Sequence, residues 1–181
     1  SLKKSFISHM PPKKTRICFT SHDWDSFYDL LLRKFVNPFE GSFAHVFVSE
    51  SYAVKMMTQS DPAFESYLTF ALANQNNPYV PKIFKIVIGR GFKCIVMEKL
   101  EPLKQKPFQY TKDEREYDKL LYALDIFQMD HPIRNRYAKD PKVKKVKKFL
   151  HKKENVDRLD IHNENVMKRS CGQLVITDPM C

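Results

Sequence analysis

The chain has 181 residues, with 31 Lys+Arg against 21 Asp+Glu, 43% hydrophobic residues and 13% aromatics. This composition excludes a disordered or low-complexity chain and suffices for one compact core or two small ones. No run of 18 apolar residues exists, the N-terminus lacks a signal-peptide stretch, and the four cysteines (Cys18, Cys94, Cys171, Cys181) show neither disulfide nor zinc spacing. A cytoplasmic protein with no membrane partner is expected, and the charge of +10 favours acidic partners without choosing among them.

Residues 1–20 are basic and contain Pro11 and Pro12, which reads as a loosely docked arm. From Ser21 the pattern turns helical, with Ser21 or Asp23 as cap and Trp24, Phe27, Leu30, Leu31 and Phe35 on one face; Asn37-Pro38 ends it. Phe43–Val48 and Tyr52–Met57 read as a strand pair around Ser49-Glu50-Ser51. Asp61-Pro62 opens a helix to about Ala73. Ile83–Ile88 and Phe92–Met97 flank the hairpin signal Gly89-Arg90-Gly91. A linker over 98–107 leads to helices over 112–129 and 141–154, the second with a lysine face. Asn165–Met167 and Leu174–Ile176 are short apolar runs around Cys171-Gly172.

The tail carries the chemistry. Asp160-Ile161-His162-Asn163-Glu164-Asn165 sets an Asp and an Asn five apart on a loop, and Asp178 follows an apolar run. Phosphoryl transfer requires such groups: one carboxylate orients or deprotonates the acceptor hydroxyl, while an amide oxygen and a second carboxylate hold magnesium. Upstream, Phe39 to Val46 precedes a strand pair ending Tyr52-Ala53-Val54-Lys55. This stretch resembles the glycine-rich loop and strand lysine of protein kinases, although only Gly41 matches a loop glycine.

The motifs Asp160-x-His162-x-x-Asn165, Ile176-Thr177-Asp178-Pro179 and His22-Asp23-Trp24 resemble those of the early serine/threonine protein kinases of T-seven-like bacteriophages. The resemblance runs over about 21–180. It implies an α+β, two-lobed kinase-like fold, with an antiparallel five-stranded N-lobe sheet over about 21–97, a hinge over 98–107 and a reduced, mainly helical C-lobe over 108–181. It implies transfer of the γ-phosphoryl group of ATP, with magnesium, to hydroxyls of host proteins in the host cytoplasm, and autophosphorylation. Asp160 would be the catalytic carboxylate, Lys55 would bind the α/β-phosphates, and Asn165 and Asp178 would ligate magnesium. Gly41, Ser42, Phe43 and Val46 would cover the phosphates, Glu65 would pair with Lys55, and Met97, Glu98 and Leu100 would line the adenine hinge. His162 would hold the loop, and Glu164 has no assigned role. A full kinase continues well past Asp178 with an acceptor platform.

Three alternatives stand beside this reading. One is an inactive kinase fold serving as a binding module that inhibits a host protein. The second is a small-molecule kinase of the aminoglycoside or lipopolysaccharide type. The third, less favoured, is nucleic-acid binding through the arm and the lysine helix.

Overall fold

A computed structural model describes residues 15–35, 38–40, 44–57, 62–126, 135–156 and 159–180. The protein is α+β and divides into two compact units. The first comprises residues 1–61, 71–76 and 81–100; the second comprises 62–70, 77–80 and 101–181. One boundary between the units follows Leu100.

The first unit is built on a six-stranded sheet. Its strands are β1 (Arg16–Asp23), β2 (Phe39–Glu40), β3 (Ala44–Val48), β4 (Tyr52–Met57), β5 (Ile83–Arg90) and β6 (Phe92–Glu98), in the order β1-β5-β6-β4-β3-β2. The expected five-stranded antiparallel sheet is corrected on two points. β2 adds an antiparallel edge strand, and β1 runs parallel to β5, so the sheet is mixed. β1 consumes Arg16–Thr20, which were expected in the arm. A parallel partner carries no local turn signal, which is why the pairing is silent in the sequence. The β5–β6 hairpin is legible. Arg90-Gly91 is its turn, and Gly91 takes φ 75°, a left-handed conformation that costs glycine nothing.

Helix α1 (Trp24–Leu32) follows β1. Asp23 is its N-cap, accepting from Ser26 N–H at 3.0 Å, whereas Ser21 lies in β1. Leu31 of α1, with Phe35 just beyond it, packs on Phe47, Val54, Met56, Phe92 and Cys94. Trp24 and Tyr28 add ring contacts to His45, and Tyr28 one to Phe47. Period-2 alternation therefore assigns this face of the sheet to α1 and turns Val46, Lys55, Ile95 and Met97 to the other.

Helix α2 (Pro62–Ala73) buries Phe64, Tyr67, Leu68 and Ala71. Its expected N-cap, Asp61, lies outside the described residues. The second unit continues with β7 (Glu101–Pro102), α3 (Lys112–Ala123), α4 (Arg136–Lys139), α5 (Pro141–Leu150), α6 (Lys153–Val156), β8 (Val166–Lys168) and β9 (Leu174–Ile176). Thr111 and Glu114 form a reciprocal capping box at the start of α3. The expected run to Met129 is cut short because Asp125 adopts φ 63°. Ile126 N–H then bonds to the Leu121 carbonyl and Asp125 N–H to that of Tyr122, the Schellman pattern with Asp in the usual glycine place.

In α5, Asp140 caps Lys142 N–H and Pro141 starts the helix, which ends at Leu150 rather than Glu154. Val143, Val146, Phe149 and Leu150 are buried, and Phe149 stacks on Phe70 of α2 with centroids 4.3 Å apart. Lys144, Lys145 and Lys148 face solvent. Among the described residues, no helix is long and apolar enough to cross a membrane.

Candidate phosphoryl-transfer site

The small sheet β7-β8-β9 of the second unit gathers three of the expected residues. Its strands are antiparallel, with Val166 opposite Ile176. Asn165 immediately precedes β8 and Asp178 follows β9 by two residues, so both sit at one end of the hairpin. Leu159 and Met180 then bridge antiparallel, and Asp160 N–H donates to the Pro179 carbonyl at 2.9 Å. That bridge sets Asp160 across from the segment holding Asp178. The local reason is plain: two short apolar strands are closed at one end by the Cys171-Gly172 turn, where Gly172 takes φ 84°, and at the other by this clamp.

Within the loop, Asn165 is held by its amide hydrogens. Nδ2 donates to the Asp160 carbonyl at 2.7 Å and faces His162 Nε2 at 2.9 Å. Glu164 N–H donates to His162 Nδ1 at 3.3 Å. The Asn165 amide nitrogen is thus engaged on the Asp160 carbonyl, and Oδ1 is the Asn165 atom suited to coordinate a metal. The Asn165 carbonyl accepts from Thr177 N–H at 2.8 Å and Thr177 Oγ1–H at 3.1 Å, tying the loop to the residue before Asp178. His162 Nε2 also lies 3.7 Å from an Asp160 carboxylate oxygen.

Two tyrosines support this end of the sheet. Tyr67 of α2 is fully buried, and its hydroxyl donates to the Ile176 carbonyl. Ile176 N–H in turn donates to the Tyr79 carbonyl at 2.9 Å. Burial first, and the Asp178 charge second, push the Tyr67 hydroxyl far above the usual tyrosine range, so it remains a neutral donor. No motif in the sequence ties Tyr67 to Asp178. The available signal was that a buried tyrosine needs a partner for its hydroxyl.

The donor set suits magnesium. Among the described residues no group of three His, Cys, Asp or Glu could hold a metal, but magnesium ordinarily takes only one or two protein oxygens, completed by phosphates and water. The Asn165 amide oxygen and the Asp178 carboxylate are of that kind.

In the first unit, on the face opposite α1, half-buried Lys55 pairs with half-buried Val46 on one side and with fully buried Ile95 on the other. Met97 shares that face. Glu98 accepts from the N–H of Lys82, the residue before β5, at 2.8 Å, and Leu100 is buried. Glu65 is half-buried on α2, and its carbonyl accepts from Thr69 Oγ1–H. Gly41, Ser42 and Phe43 lie outside the described residues.

No curated protein matches the chain. A family model described as Bacteriophage T7 protein kinase 0.7 matches residues 51–181, most of the chain and all four of Lys55, Asp160, Asn165 and Asp178. This match, over the segment that brings Asp160, Asn165 and Asp178 to one end of a hairpin, leads to one assignment: the chain belongs to the bacteriophage T7 protein kinase family.

Proposed function

We propose that the protein is an ATP- and magnesium-dependent serine/threonine kinase that phosphorylates host proteins and itself. The observation that carries this reading is the convergence of Asp160, Asn165 and Asp178 at one end of the β8–β9 hairpin. On this reading the two units are the lobes of a kinase-like fold. Asp160 accepts the proton of the acceptor hydroxyl as its oxygen bonds to the γ-phosphorus and the β–γ bridging bond breaks, leaving ADP. Asn165 and Asp178 hold magnesium, which neutralises charge on the transferring phosphoryl group. Lys55, half-buried in an apolar cross-strand row, is assigned the α/β-phosphates, with Val46 and Met97 on its face. Gly41, Ser42 and Phe43 are assigned the cover over the phosphates, Glu65 the pairing with Lys55, and Met97, Glu98 and Leu100 the adenine hinge.

The test is incubation of the protein, alone and with a bacterial lysate, in magnesium and ATP labelled at the γ-phosphate, followed by phosphoamino-acid analysis. Label on serine and threonine is the expected result. Label on tyrosine, on small molecules only, or nowhere would refute it, and ATP binding without transfer would favour the inactive binding module.

A further inference from the structure

An exposed aromatic turn lies in the same unit as Asp160. Lys106 bridges to Gln109, with Gln109 N–H bonded to the Lys106 carbonyl at 3.3 Å. Pro107 and Phe108 are the central residues, and Phe108 has φ 61°. This is the arrangement of a type II turn, whose third position ordinarily belongs to glycine or asparagine. A phenylalanine stands there instead, held in the left-handed region with its side chain fully exposed. Both features oppose folding, so neither packing nor local propensity accounts for the residue.

The turn is anchored rather than loose. Asp113 accepts from Lys104 N–H at 2.8 Å and from Lys168 Nζ of β8, and Thr111 Oγ1–H donates to the Lys104 carbonyl. Register gives the direction of the strand that precedes it. β7 and β8 are antiparallel, with Glu101 opposite Lys168 and Pro102 opposite Met167. The chain leaving β7 therefore heads towards Val166, the end of the small sheet that holds Asn165 and Asp178.

The surrounding charge is positive. Lys104, Lys106, Lys112 and Arg115 are exposed. The neighbouring acids are engaged internally: Asp113 as above, Glu114 on Thr111 N–H, and Asp118 on the Tyr110 hydroxyl. Glu101, at the far end of β7, is the exposed acid of this stretch.

We propose that the Lys106–Gln109 turn is a docking knob for phospho-acceptor proteins: Phe108 enters an apolar pocket of the partner, and the partner's acidic rim meets Lys104, Lys106, Lys112 and Arg115. A large aromatic fixed in one backbone conformation loses little freedom on binding, which suits an anchor. Charge complementarity selects an acidic protein segment as the occupant. This inference rests on the kinase reading, and names its substrate class.

The experiment uses two serine-containing peptides, one carrying an Asp/Glu-flanked Leu-Ile segment and the other with lysine replacing the acids. Steady-state phosphorylation and fluorescence anisotropy without ATP are measured for the full chain, Phe108→Ala, Phe108→Gly and Lys106→Glu. Autophosphorylation is followed in parallel. The acidic peptide should bind, and be phosphorylated, in preference to the basic one. The variants should weaken binding and raise its KM by about tenfold, with kcat and autophosphorylation unchanged. Phe108→Gly should also melt higher than the wild type, because it relieves the backbone while removing the anchor. Unchanged affinity in the variants overturns the proposal. So does a Phe108-dependent affinity confined to single-stranded oligonucleotides or to self-association. Absence of any transfer by the wild type refutes the kinase reading instead, and anisotropy alone then decides the docking claim.

Discussion

Replacing Tyr67 by Phe removes one oxygen atom and retains the ring that meets Phe70 and Phe149. The loss is confined to the hydrogen bond from the hydroxyl to the Ile176 carbonyl, and both residues are fully buried. A buried carbonyl deprived of its donor costs about 1–3 kcal/mol. Taking about 2 kcal/mol, a chain of this length should melt about 4–8 °C lower. The same bond fixes the strand that leads to Asp178, so the magnesium concentration for half-maximal phosphoryl transfer should rise about tenfold. Thermal melting and a magnesium titration of labelled-phosphate transfer measure the two effects. Tyr79→Phe is the control. Its hydroxyl bonds to Asp140 at 2.7 Å, and the backbone carbonyl that meets β9 is untouched. Tyr79→Phe should lose stability and keep the wild-type magnesium dependence. Wild-type stability in Tyr67→Phe, or an equal magnesium shift in Tyr79→Phe, would refute the assignment of Tyr67 as a positioning residue for Asp178.

Two further outcomes follow from the second unit. For Asp113, burial raises the carboxyl pKa, but the bonds from Lys168 and Lys104 N–H and the charges of both lysines outweigh it and hold it below the ordinary 3.8. A lowered folded-state pKa contributes stability above the unfolded value and loses it as pH falls through the folded value. The wild type should therefore lose stability more steeply than Asp113→Asn from about pH 4 downward, as read from urea midpoints. Thr111→Ala removes one half of the α3 capping box and should cost about 1 kcal/mol in the same measurement.

The strand hairpins and the order of the helices were legible because local chemistry carries them. Gly91 marks a turn, Asp140-Pro141 a helix start, and Thr111 with Glu114 a cap. What was illegible is non-local or disguised. Arg16–Thr20 has β-forming residues, but it follows a basic run and its partner in β5 is some seventy residues away along the chain. Asp125 ends α3 in a place where glycine would have announced the stop. The two-residue strands β2 and β7 are too short for any periodicity. In the site, Asp160, Asn165 and Asp178 were visible by spacing, and His162 by its place between them. The hydrogen bonds that bring them together run through main-chain atoms of Pro179, Asp160 and Asn165, which any residue supplies and no motif encodes.

The central claim is that Asp160 takes the acceptor proton while Asp178 holds the metal. The most direct measurement is the transfer rate of label from γ-labelled ATP by wild type and Asp160→Asn, at saturating magnesium and at matched ATP occupancy. The account predicts that Asp160→Asn binds ATP as the wild type does and transfers about 10²–10⁴-fold more slowly. Transfer at the wild-type rate by Asp160→Asn would contradict it.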